Sequence, residues 1–168
     1  MAGVMSDAGH SLLEQTRAAL EEAHFDPQHA GDVFLRADAE AALQAAFPAA
    51  SISVAGRDEA RLPAARFLGA TYRPDILVEL DKAQVAVDLT LLRTDSGPIS
   101  AALSRAVVLS QQIPVATVIV DRRIERANPF AGPARGGLHP GDQAIIDYLR
   151  DRHLVVFVIK RQAPFSFG

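Results

Sequence analysis

The chain has 168 residues, of which 49% are hydrophobic and 22% charged, with a net charge of −3. This length suits one domain with a full core, and the slightly acidic balance excludes a global electrostatic pull toward nucleic acid, so any such binding must use a local basic patch. The lack of cysteine excludes disulfides and thiolate metal sites and suits a reducing cytosol; with neither a secretory pattern nor an apolar run of membrane-spanning length, a cytoplasmic protein without a membrane partner is expected.

Residues 1–10 read as a mobile tail, and residues 11–168 as one domain. Ser11 can cap a helix running to about His24, with Leu12, Leu13, Thr16 and Leu20 on one side. Asp26-Pro27 and Gly31 break it, and a second helix runs from about Asp32 to Phe47, stopping before Pro48. The alternation in 51–56 predicts a strand, and the arginine-rich stretch 57–70 reads as a loop or a distorted strand end.

Two strands, 75–80 and 84–92, form a hairpin. Gly97-Pro98 opens a helix whose apolar stripe is Ile99, Ala102, Leu103, Ala106 and Val107, and Pro114 marks its end. The β-branched run 115–120 predicts a buried strand. A long loop, 122–140, precedes a helix opening at Gly141-Asp142 and a final buried strand at 154–159. The order ααβββαβαβ predicts an α/β fold: a mixed central sheet flanked by helices, with an N-terminal helical extension.

The hairpin carries the chemistry. A two-residue turn at Asp81-Lys82 pairs Leu80 with Ala83, and counting back brings Asp75 opposite Asp88 and Arg73 opposite Thr90. Opposed side chains have Cβ atoms about 5 Å apart, close enough for two carboxylates to share one cation. Hard oxygen ligands suit Mg²⁺ or Mn²⁺. A three-residue turn would instead send the aspartates to opposite faces. The simpler alternative is that Asp75 caps a turn and Asp88 is satisfied by backbone amides. A third carboxylate is available at Glu40, which shares a helix face with Leu43 and Phe47. It is either a further ligand or the edge of a solvated stripe.

Arg122, Arg123, Arg126 and Arg135 make the 122–140 loop a candidate for phosphate contacts, against the alternative of a solvated loop. Arg57, Arg61 and Arg66 form a second, sparser basic group. The histidines do not cluster, and there is no Gly-rich phosphate loop and no nucleophile elbow.

Pro74-Asp75 at the start of one hairpin strand, Asp88 within the next, and the flanking helices together resemble the PD-(D/E)xK superfamily of restriction-endonuclease-like nucleases. The resemblance covers the order of elements from about Asp32 to Ile159 and implies an αβββαβ core. It maps the two acidic positions to Asp75 and Asp88 and the helix glutamate of many members to Glu40. It departs at Thr90, which stands where the family has lysine. A threonine hydroxyl can orient a water but brings no charge, and Arg73 is the cation expected nearest.

What the resemblance implies is metal-dependent phosphodiester hydrolysis of DNA. Asp75 and Asp88, with the Leu89 carbonyl and Glu40, would hold Mg²⁺ or Mn²⁺, while Arg73 or Thr90 would orient or stabilise the reacting groups. Two other classes stay open. One is a catalytically silent module of the same fold that binds nucleic acid or a partner protein, and the other is an unrelated α/β binding protein. Exposed apolar helix faces would point to a protein partner or a homodimer.

Overall fold

A computed structural model describes residues 7–29, 31–123 and 139–162. Helix α1 (Asp7–Glu22) already includes Asp7, ahead of the expected cap at Ser11. Residues 7–10 of the expected tail are therefore helical, with Gly9 buried; residues 1–6 lie outside the described residues. Helix α2 (Asp32–Ala46) buries Leu35, Ala39 and Leu43, spaced four apart along one stripe.

Strand β1 (Ser51–Val54) is followed by a 3₁₀ turn (Glu59–Arg61) and a small hairpin, β2 (Ala65–Phe67) and β3 (Ala70–Tyr72), within and just beyond the stretch expected to be irregular. Its two-residue loop places Leu68 and Gly69 at φ 47° and 84°, a left-handed backbone that glycine adopts at no steric cost.

The main hairpin follows: β4 (Ile76–Leu80), then β5 (Ala83–Leu92). Leu80 pairs with Ala83, Glu79 with Gln84 and Leu77 with Ala86, the register that a two-residue turn requires. Asp81 and Lys82 both take positive φ, 49° and 69°, as the central residues of a type I′ turn do. Helix α3 (Gly97–Leu109) opens on Gly97-Pro98 as expected, and leads through Pro114 into β6 (Val115–Asp121). Helix α4 (Pro140–His153) and strand β7 (Val155–Arg161) complete the described fold.

The five-stranded sheet has the order β1-β4-β5-β6-β7, antiparallel from β1 to β5 and parallel from β5 to β7. This is a mixed α/β architecture, with helices on both faces. Val85, Val87 and Leu89 point toward α1 and α2 and join a core with Leu13, Leu20, Leu35 and Leu43. Ala86 and Leu77 point the other way, toward Ala106 and Leu109 of α3 and Leu149 of α4. A strand buried on both faces reads as a near-continuous apolar run, and β5 is that strand. Each fully buried aliphatic side chain contributes about 1.5–3 kcal/mol to holding these layers together. Among the described residues no helix is long and apolar enough to cross a membrane.

Candidate functional site

Asp88 is the anomaly of β5: a carboxylate, 2% exposed, in a strand whose neighbours are almost all apolar. Strand alternation aims it at α3, on the face that also carries Ala86 and Thr90. Asp75 reaches the same place from just before β4. Its amide donates to the Val87 carbonyl at 3.0 Å, whereas its own carbonyl turns the other way and accepts from Ala55 at 2.8 Å. The ladder with β5 therefore stops at Asp75, and its side chain takes over the next pairing. The Leu89 amide donates to Asp75 Oδ2 at 2.8 Å.

The two carboxyl groups lie within hydrogen-bonding reach of each other. Burial pushes Asp88 up to about 7, the nearby Asp75 charge adds to this, and Arg105 opposes it. Burial also raises Asp75, opposed by the Leu89 amide and by the charges of Arg36 and Arg105. Two acids that cannot both ionise cheaply share a proton between them.

Arg105, on α3, spans the other side of the pair. Its Nε donates to both Asp88 oxygens, at 3.1 and 3.0 Å, and its Nη2 donates to Thr90 Oγ1 at 3.0 Å. One helical side chain thus delivers a permanent positive charge to the Thr90 position of the strand. Arg36, on α2, flanks Asp75 with its Nε 3.9 Å from Oδ1, while its Nη1 is held by the Ala55 carbonyl at 2.7 Å. Neither arginine was read from the sequence as part of the site. Arg105 had a signal: it lies between Ala102, Ala106 and Leu109, on the buried stripe of its helix. A charge on such a stripe needs a partner.

Thr117 was missed as well. It is the β6 neighbour of Asp88, so its side chain lies on the same face. Its hydroxyl is buried and has no hydrogen-bond partner among the described residues. Leu89 stands where its carbonyl can contribute. Its amide points to Asp75, and in an extended strand the N–H and C=O of one residue leave toward the same edge.

Several expected members are elsewhere. Arg73 does not face Thr90. Because the strand pattern ends at Asp75, Arg73 turns away and donates to the Leu62 carbonyl at 3.1 Å. Glu40 does share the packing face of Leu43, but Arg57 holds it at 2.6 Å, and it does not join the aspartates. Arg36, one helical turn earlier, occupies the place next to Asp75 instead.

Arg122 and Arg123 are not free for phosphate. Arg122 binds the carbonyls of Asp26 and His29 and the Gln162 side chain, clamping the α1–α2 connection to the end of β6. Arg123 is 3% exposed and pairs with Asp121 at 2.9 Å. Arg126 and Arg135 lie outside the described residues.

Whether these groups suit a divalent cation can be asked of the donors themselves. Two carboxylates sharing a proton, a strand carbonyl on the same edge and an unpartnered buried hydroxyl next to them form an all-oxygen set. It matches the preference of Mg²⁺ or Mn²⁺, which keep several waters and use one or two carboxylates. Among the described residues no three His, Cys, Asp or Glu side chains gather into a fuller cage. Comparison with protein-family models, with curated proteins and with solved structures finds no match for this chain.

Proposed function

We propose that Asp75 and Asp88 form the cation site of a metal-dependent phosphodiesterase that acts on DNA, built on a restriction-endonuclease-like core. The observation that carries this reading is the convergence of buried Asp88, in β5, and half-buried Asp75, just before β4, to within proton-sharing reach of each other. The order α2-β1-β4-β5-α3-β6 supports the reading of the core, because a helix, an antiparallel meander, a helix and a strand are what the resemblance requires.

Asp75 and Asp88, with the Leu89 carbonyl, would hold Mg²⁺ or Mn²⁺; among the described residues Glu40 does not gather with them. When bound, the ion supplies Lewis acidity and an acidified water. The protein's own residues do the rest. The Leu89 amide fixes the rotamer of Asp75 through Oδ2, with Oδ1 on the Arg36 side. Thr90 holds the Arg105 guanidinium in orientation, and that guanidinium stabilises negative charge gathering on a phosphoryl oxygen. Arginine stays protonated and cannot act as a base, so its part is electrostatic. Arg36 adds a second positive charge on the Asp75 side.

A second reading, a catalytically silent module of the same fold that binds nucleic acid or a protein partner, has one observation in its favour. Asp88 is already compensated by Arg105, and the two acids share a proton, so the site is electrostatically satisfied without an ion. The two readings separate in a supercoiled-plasmid assay with Mn²⁺ or Mg²⁺. The enzyme reading expects nicking by the wild type and its loss in Asp75→Ala and Asp88→Ala. Cleavage that survives both substitutions refutes the site. No cleavage by the wild type, with retained DNA binding in a gel-shift assay, favours the silent module.

A further inference from the structure

We infer that Arg105 is the resident counter-ion of the Asp75/Asp88 site, and that a divalent cation enters by displacing its guanidinium from Asp88, releasing a positive group toward a phosphoryl ligand. This rests on the cation-site reading above and adds how the site is kept and opened.

The geometry of Arg105 carries the argument. Its Nε bridges both oxygens of Asp88 at nearly equal distances, 3.1 and 3.0 Å. The guanidinium thus covers the carboxylate with a single donor, instead of forming the parallel two-nitrogen fork that makes arginine–carboxylate pairs strong. Its other contact in the site, Nη2 to Thr90 Oγ1, is to a neutral hydroxyl. A cation seated on Asp88 would face a guanidinium some 3 Å from the same oxygens, and like charges at that separation in a buried site repel strongly. The two cannot both hold Asp88 closely. The Arg105 side chain is 29% exposed, so it has solvent to move into, whereas Asp88 is 2% exposed and stays. The Thr90 hydroxyl is a hinge that the guanidinium can keep while its Nε lets go. Competition of this kind is reciprocal: whatever the metal costs the arginine contact, the arginine costs the metal.

The test is calorimetric titration of MnCl₂ and MgCl₂ into the full chain and into Arg105→Met, which keeps the aliphatic stem and removes the charge. The expected result is tighter binding by the variant, by about tenfold, within the usual range for coupled sites. Because an unpaired Asp88 could unfold Arg105→Met, Arg105→Lys and a spectroscopic measurement on the wild type accompany it. Mg²⁺ should shift the Arg105 Nε–H resonance, a response that a purely structural arginine would not give. Binding that is unchanged or weaker in both variants, with a still Nε–H resonance, overturns the displacement while leaving the cation site standing. No binding by the wild type or either variant overturns the cation site as well. Binding by Arg105→Met where the wild type shows none supports the displacement in its strongest form.

Discussion

Leu89 anchors Asp75: its amide donates to Asp75 Oδ2 at 2.8 Å, tying a side chain from outside β4 to the strand that carries Asp88. The contact stands in for a ladder bond, because in this register the Leu89 amide would donate to the Pro74 carbonyl. A break in sheet pairing therefore becomes the device that brings a second carboxylate to a buried acid.

The shared proton makes stability depend on pH. Asp88 has its folded value raised to about 7 from 3.8. A raised acid stabilises the fold while protonated, so this contribution is complete below the unfolded value and is lost as pH rises through the folded one. In buffer with a chelator, unfolding free energy should fall between pH 4 and 7 on account of this group, with a local slope approaching 1.4 kcal/mol per pH unit, about one proton's worth. Asp88→Asn should remove that slope. Urea titrations across the range check it, and an equal slope in the variant would contradict the proton-sharing arrangement.

The type I′ turn offers a stabilising substitution. Lys82 holds φ at 69°, a conformation that costs a non-glycine residue roughly 1 kcal/mol. Lys82→Gly should raise stability by up to about 1 kcal/mol, because aspartate followed by glycine is a favoured pair for this turn. Thermal melts read the difference, and a loss of stability would argue that Lys82 makes a contact worth more than the strain.

Arg122 acts as a clamp. It joins the carbonyls of Asp26 and His29 to Gln162, segments far apart in the sequence. Arg122→Ala should cost about 1.5–3 kcal/mol, the usual worth of charged hydrogen bonds, and should speed amide exchange in the α1–α2 connection. DNA affinity and its salt dependence should stay as in the wild type. A fall in the salt slope would instead assign Arg122 to phosphate contact.

Asp121 and Arg123 form a pair whose side chains are 0% and 1% exposed. Asp121 is thus a second buried acid, compensated by its own neighbour rather than by another carboxylate. Removing one partner leaves the other charge buried, so Arg123→Met should destabilise by about 3–5 kcal/mol. A change under 1 kcal/mol in chemical denaturation would show that Asp121 finds another donor.

Much of the hairpin was legible because its register depends on local facts: a two-residue turn and a strict alternation on either side. That count placed Asp75 near Asp88 without any tertiary knowledge. The same count failed one step further, at Arg73, because regular pairing with β5 ends at Ile76, the Asp75 side chain takes the Leu89 amide, and Arg73 is drawn to the Leu62 carbonyl. Glu40 was read onto the correct helix face, but that face does not reveal Arg57 waiting at its edge. Arg105 comes from an element separated from Asp88 by a loop, and only packing of α3 on the sheet brings the two together. The β2–β3 hairpin escaped because its strands are three residues each, too short for periodicity to register, although Leu68-Gly69 was a usable turn signal.

The central claim is that Asp75 and Asp88 together receive a divalent cation, and the most direct measurement is anomalous diffraction from crystals of the wild-type protein grown with MnCl₂. The account predicts a manganese peak at the Asp75 and Asp88 carboxylates, and its absence in Asp88→Asn. Manganese elsewhere, or wild-type crystals at saturating MnCl₂ with Arg105 still seated on Asp88 and no peak beside it, would contradict it.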